Sequence, residues 1–286
     1  MSLRALALDW SLDGSAGIAF LVVCLAAGGV YASAAAIGSR RDRRHRRWPR
    51  RRTACFCAGL ALLAVDLYSG IGTQAGVRLS AHMLEHMVMW LLVAPLLAAG
   101  APIRLAFFAL GRGGRRALAG WLHSRPLAWL TSPVGSVSVF SAVLLVTHVP
   151  AVYGLALTNE SVHEAEHAAY LLAALLMWAP LLGVDPLPRR AGPRSQALCL
   201  MGCMVPMLLV AAWLGFAPHA VYQHYVESAP AHPSAALHDQ RVAATIMWVG
   251  GMPAFAVPAL LRYTGSRRRR SPSEPVLYPR SAPTTT

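Results

Sequence analysis

The chain has 286 residues, of which 13% are charged and 56% apolar, and its mean hydropathy is positive. A soluble domain carries about 25% charged residues, so the composition excludes an ordinary soluble domain. It fits a membrane domain with spans of about 20 residues each. The net charge of +14 comes entirely from Arg, because the sequence contains no Lys. The placement of those Arg residues points to a lipid surface and argues against nucleic acid.

Long apolar runs separated by Arg, Pro and Gly predict spans over 15–38, 53–70, 79–99, 134–157, 161–182, 195–216 and 240–261. The second run is the weakest, being short and holding Asp66. The first is too long for a signal peptide, and its Arg cluster follows it instead of preceding it, which reads as a retained helix. With the N-terminus outside, segments 39–52, 100–133, 183–194 and 262–286 face the cytoplasm and hold nine, five, three and six Arg. Only Arg4, Arg78 and Arg241 remain outside, an asymmetry that sets orientation by the positive-inside rule. The expected fold is therefore an all-α polytopic bundle of seven transmembrane helices over residues 1–262, N-terminus outside and C-terminus cytoplasmic. Residues 263–286, rich in Arg, Ser, Pro and Thr, are expected to form a disordered cytoplasmic tail.

Between the spans, residues 101–122 alternate Arg with large apolar side chains and read as interfacial, in two short pieces because of the break at Gly111–Gly114. The outer loop 217–239 contains four His. The five cysteines show no disulfide framework, and small apolar core thiols are their plain reading. Cys199 and Cys203 also share one helix face, which leaves a second soft-metal station open.

The chemistry lies in the histidines, nine of whose eleven members fall on the outer side or in the outer half of a helix. Only His45 and His123 lie on the cytoplasmic side. Two pairs, His82/His86 and His163/His167, have the i, i+4 spacing that puts both imidazoles on one helix face within reach of one metal ion. Glu85 and Glu166 lie inside these pairs, and Met83 and Met87 share the first helix. His148 sits in the outer half of the fourth span, Asp66 about one turn from the outer end of the second, and His238-Asp239 opens the seventh. A single HxxxH more often makes interhelical hydrogen bonds. Two such pairs with further His and Asp at one depth favour a metal site, because ionisable groups inside spans are costly and default to function. The expected ligands are His82, His86, His148, His163, His167 and His238. Asp66, Glu85, Glu166, Asp239 and Met83 are expected to orient them or add to them, and His219, His224 and His232 in the outer loop to capture metal. Imidazole suits copper or zinc, and thioether tilts the choice toward Cu(I).

The run His82-Met-Leu-Glu85-His86-Met, then Thr147-His148-Val-Pro150 with Tyr153, then His163-Glu-Ala-Glu166-His167 with Trp178-Ala-Pro180 and Asp185-Pro186, then His238-Asp239-Gln240 with Met247-Trp248 and Gly250-Gly251, resembles the multispanning CtaG family of cytochrome c oxidase assembly factors. The likeness covers about residues 60–262. It implies a non-enzymatic, multi-pass protein of the bacterial plasma membrane. Such a protein would help a haem–copper oxidase acquire copper, Cu(I) or Cu(II), at its binuclear centre. The implied partners are cytochrome c oxidase subunit I and a periplasmic or extracellular copper chaperone; the implied motif histidines are His82, His86, His148, His163, His167 and His238.

Two rival classes stand beside this reading. An intramembrane zinc hydrolase of the ceramidase-like type would use Glu85 or Glu166 as general base. Too many histidines compete for one catalytic zinc, however. A bis-His haem cytochrome needs ligands facing each other across helices, which i, i+4 pairs on one helix supply poorly.

Overall fold

Apolar stretches with no water to bond their backbone must satisfy it internally, and helices do so segment by segment. The computed structural model describes residues 15–41, 47–183, 185–187, 192–228 and 233–268, and no strand occurs among the described residues. In chain order the helices are α1 (Ser15–Arg41), α2 (Arg50–Tyr68), α3 (Gly70–Ala75), α4 (Leu79–Val88), α5 (Ala94–Ala99), α6 (Pro102–Ala109), α7 (Arg112–Leu122) and α8 (Arg125–Leu130). They continue with α9 (Pro133–Thr147), α10 (Pro150–Thr158), α11 (Glu160–Leu182), α12 (Pro193–Phe216), α13 (Gln223–Ser228), α14 (Pro233–Thr245) and α15 (Met252–Arg268). A π-helical turn, Met89–Val93, joins α4 to α5, and a second, Ile246–Gly251, joins α14 to α15.

Five stretches are long and apolar enough to cross a bilayer: Leu21–Ser39, Leu79–Ala109, Glu160–Leu182, Pro193–Phe216 and Ser234–Leu261. A sixth results if α9 and α10, bent by 75°, count as one broken span. Seven were expected, and by length and composition five of the described stretches qualify, or six with the bent pair. The shortfall is α2, which does form over the expected second run but carries Arg50, Arg51, Arg52 and Asp66 in its 19 residues. The bend between α9 and α10 has a local cause. Pro150 pushes Val149 into extended backbone at φ −63° and ψ 125°, because the proline ring crowds a helical residue before it.

Two other expectations shift. The last span begins at Pro233, well before residue 240, and its helix runs on to Arg268, so residues 263–268 of the expected tail are helical. Residues 1–14 and 269–286, with His45 and His232, lie outside the described residues. The stretch expected to be interfacial forms α6, which continues the candidate span Leu79–Ala109, and α7, with the break at Leu110–Gly111. Gly183 ends α11 in the left-handed conformation, at φ 61°, which suits a residue with no side chain.

The helices pack α12 on α15 and α9, α11 on α5 and α9, and α4 on α3 and α14. Their shared core includes Trp90, Phe140, Tyr170, Met177, Met207, Met247 and Phe255. The outward faces expose Val23, Leu25, Leu172, Leu198, Leu209 and Leu260, an apolar belt suited to lipid. Three side chains fasten the loops to this frame. Asp239 accepts from the Ser80 backbone N–H at 3.0 Å and from the Ser80 hydroxyl, and so ties α14 to the start of α4. Gln240 accepts from Val221 N–H at 2.7 Å and donates to the Leu214 carbonyl at 2.8 Å. At the far end Asp185 accepts from the Arg104 N–H at 2.7 Å in the first turn of α6.

Candidate metal centre

At the end of the bundle that holds the starts of α4 and α11, helix periodicity brings two histidine stripes face to face. His82 and His86 lie one turn apart on α4, with ring centroids 4.4 Å apart. His163 and His167 do the same on α11 at 4.3 Å. Across the helices His82 faces His163 at 5.5 Å, and His86 faces His167 at 5.6 Å. The result is a four-imidazole box. Asn159, whose side chain accepts from Val162 N–H at 3.2 Å, caps α11 and fixes where its stripe begins.

Two carboxylates enter the same space. Glu85 Oε2 stands 3.7 Å from His167 Nε2, beyond hydrogen-bond reach but within the range of a charge contact. Two sets of potential ligand atoms gather within 4.8 Å of one another: His82, His86 and Glu166, and His82, Glu85 and His163. His82 belongs to both sets. A zinc- or copper-type ion holds nitrogen and oxygen ligands at about 2.0–2.2 Å, so side-chain adjustments of about an ångström would close either set.

The hydrogen-bond accounting is the central observation. Among the described residues, 12 buried side-chain N and O atoms have no hydrogen-bond partner. All except Trp90 Nε1 belong to His82, His86, His148, His163, His167, Glu85, Glu166 and Asp66. Each such atom costs on the order of 1–3 kcal/mol when left unpaired, and an ionised carboxylate more. These costs are concentrated in one box, whose residue types are ones that could hold a cation. Neutral imidazole nitrogens and carboxylate oxygens suit copper or zinc.

The surroundings orient these groups. His148 caps the C-terminus of α9 at the bend. Its Nδ1–H donates to the Leu144 carbonyl at 2.8 Å, which leaves Nε2 as the unbonded nitrogen. Tyr222 donates to the His148 carbonyl at 3.1 Å, and the Tyr170 hydroxyl bonds Thr147 beside it. Tyr153 lies against His82 at 5.0 Å and stacks on Tyr222 at 4.0 Å. Tyr225 donates to the Ala75 carbonyl at 2.9 Å, and its hydroxyl stands 3.4 Å from His82 Nδ1. Asp66, 1% exposed, interacts electrostatically with Glu85, and neither of its oxygens has a hydrogen-bond partner.

The structure therefore brings together His82, His86, His163, His167, Glu85 and Glu166, with His148 and Asp66 at the margins. Met83, 1% exposed, is buried in the packed core. His238 is not among them. It is exposed on α14 and lines a cavity of about 390 Å³ with Gln74, Arg78, Tyr225 and Asp239. It was expected as a ligand because it was placed at the first turn of the last span. That helix starts earlier and presents His238 outward. Asp239 is likewise a structural tie to Ser80 and no partner of the histidines. Of the loop residues, His219 is exposed, and His224 Nε2 bonds the Gly76 carbonyl at 2.9 Å. His123 stacks no ligand group and bonds Ala119 O at 2.7 Å on its own helix.

Sequence reasoning missed the tyrosines as wall and lid of the site. Tyr170 was open to detection, since 163, 167 and 170 form one helical stripe. Tyr222 and Tyr225 reach the box from a loop distant in sequence, and no local pattern marks them.

The fold and this box define a class: a multi-pass helical membrane protein with a buried imidazole–carboxylate cluster inside one end of its bundle. The cytochrome c oxidase caa3 assembly factor family, Caa3_CtaG, matches residues 29–268, and the chain belongs to it. Uncharacterized proteins of Mycobacterium bovis and Mycobacterium tuberculosis are each 29% identical over 204 residues, covering 69% of this chain and 30% of theirs. One of Mycobacterium leprae is 27% identical over 166 residues, covering 56% of this chain and 25% of its own length. The chain thus spans less than a third of the length of these relatives. No solved structure matches it.

Proposed function

We propose that this protein is a copper-handling assembly factor. It binds copper in the box formed by His82, His86, His163, His167, Glu85 and Glu166, and passes the ion to the binuclear centre in subunit I of a haem–copper oxidase. The observation that carries the reading is the concentration of unbonded buried ligand atoms in that box. The family supplies the acceptor. Two overlapping three-ligand sets sharing His82 suit exchange, since an incomplete set releases its ion more readily than a closed four-ligand cage. His148 and Asp66 stand ready to complete or trade ligands as the ion moves.

Copper reaches the box from the side of the 390 Å³ cavity that His238 and Tyr225 line, where a periplasmic or extracellular chaperone would dock. In this reading the box faces the extracytoplasmic side of a bacterial plasma membrane, an orientation that the Arg distribution supports. A cytoplasm-only reporter fused after Gly192 should be active, and one fused within 217–228 inactive. The reverse pattern would invert the proposed orientation. The zinc-hydrolase alternative is not favoured by the family, and both carboxylates already share the imidazole box.

The functional test is genetic and chemical together. Cells lacking the protein should keep the oxidase polypeptide but lose its activity and its active-site copper, with partial restoration by added copper. The His86→Ala/His167→Ala variant should match the deletion, and His123→Ala should match the wild type. Full oxidase copper in the deletion strain would sink the proposal.

A further inference from the structure

Below the histidine box, α12 carries a stripe of sulfur side chains at four-residue intervals: Cys199, Cys203 and Met207. They are 5%, 0% and 0% exposed. One helical turn, about 6 Å of rise for four residues, separates each from the next. The two buried thiols lie one turn apart on the same face of α12, and the Ser136 hydroxyl of α9 stands 3.5 Å from Cys199 Sγ. Met207 meets Met87 at the second π-helical turn. A methyl placed on Gly251 would lie 2.3 Å from Met207 Cε and 2.8 Å from Met87 Cε, so the bare glycine leaves room for both thioethers at one point. Met87 directly follows His86 on α4. A run of soft donors therefore leads away from the box, from Met87 to Met207 to Cys203 to Cys199.

Ordinary packing accounts for one buried thiol, since free Cys behaves as a small hydrophobe. It does not account for adjacent thiols on one face with a hydroxyl directed at them and thioethers in line above. We propose that Cys199 and Cys203 form a second metal station, specific for a soft monovalent ion of the Cu(I) or Ag(I) class, with Met207 and Met87 between it and the box. Thiolate and thioether select Cu(I) over harder ions. Loading replaces the thiol protons, which leave to solvent, and the metal keeps its oxidation state. Two thiolates and one such ion carry a single net negative charge, which the Ser136 hydroxyl can stabilise by turning from the Pro133 carbonyl to donate to Cys199. The inference goes beyond the histidine reading and does not depend on it.

The test uses the full chain, purified in detergent without a His tag and loaded anaerobically with Cu(I) or Ag(I). X-ray absorption of the wild type should show metal-bound thiolate sulfur. The Cys199→Ser/Cys203→Ser variant should lose that signal and one equivalent of Ag(I), while His86→Ala/His167→Ala keeps both. Loss of the histidine equivalent alone would damage the copper-delivery reading and leave this station intact. A wild type without thiolate coordination, or a serine variant with undiminished sulfur signal and stoichiometry, overturns the proposal. Should the serine variant fail to accumulate, the wild-type sulfur edge decides: bound thiolate supports the station, and thioether alone or no sulfur overturns it.

Discussion

Two sets of partly or fully buried polar side chains in this protein are treated in opposite ways. Asp239, Gln240 and Asp185 spend their oxygens on backbone N–H groups of Ser80, Val221 and Arg104. The histidine box, with Glu85 and Glu166, leaves its inward atoms unbonded. Both sets cost desolvation. The first recovers it within the protein, by fastening loops and helix starts. The second recovers it from no hydrogen bond within the protein. A buried polar group whose valences are filled by backbone is architecture; one left unbonded among others of its kind is a candidate binding site. This contrast also separates Glu85 from Asp239, two acids that the sequence placed together as accessories to the same metal.

The sharpest break in that comparison is at the box itself. His86→Ala/His167→Ala should lower copper affinity by roughly 100-fold or more, since changes even to residues that only orient a ligand cost about 10–100-fold. Its thermal midpoint without metal should stay near that of the wild type. Metal titration followed by melting of the detergent-solubilised protein measures both.

Next in size are the ties. Asp239→Ala leaves the first-turn N–H of Ser80 without its carboxylate and should lower stability by about 1–3 kcal/mol. Copper bound per folded molecule should not change. Loss of copper without loss of stability in this variant would erase the distinction between tie and ligand.

Glu85→Gln and Glu166→Gln should show the opposite sign. Glu85 has only the 3.7 Å contact with His167 and Glu166 has no hydrogen-bond partner, so removing either buried charge should be neutral or stabilising for the metal-free protein. The copper-induced rise in melting temperature should shrink in both. A metal-free glutamine variant that melts well below the wild type would mean that these acids are structural after all.

The smallest effect is expected at the lid. Tyr225→Phe removes a hydrogen bond to the Ala75 carbonyl and the hydroxyl beside His82 Nδ1, worth about 1 kcal/mol. It should speed copper release several-fold in a competition with a soluble chelator. An unchanged release rate would remove Tyr225 from the exit route.

Much of the box was legible in advance because its spacing is local. Four residues along a helix return a side chain to the same face, so His82 with His86 and His163 with His167 were paired without knowledge of the fold. Glu85 and Glu166 followed as their neighbours. The apolar runs likewise fixed an all-helical membrane chain, through the demand of the backbone for internal hydrogen bonds. Hydropathy did not settle the number of spans. Pro150 folds one run into two helices at 75°, and the Arg residues and Asp66 keep α2 short of an unambiguous span.

What only the tertiary structure decided is which remote groups meet. His238 shares residue type and expected depth with the other histidines, yet the early start of α14 turns it outward toward the cavity. Tyr222, just before the short helix α13, stacks on Tyr153, and Tyr225 on that helix stands beside His82. That Met87 touches the sulfur stripe of α12 depends on a missing side chain at Gly251, on a third element. Sequence periodicity determines which residues share one helix face, because that follows from the backbone geometry of a single helix. The partner of that face is chosen by packing among several helices, and this choice made the two histidine stripes into one site.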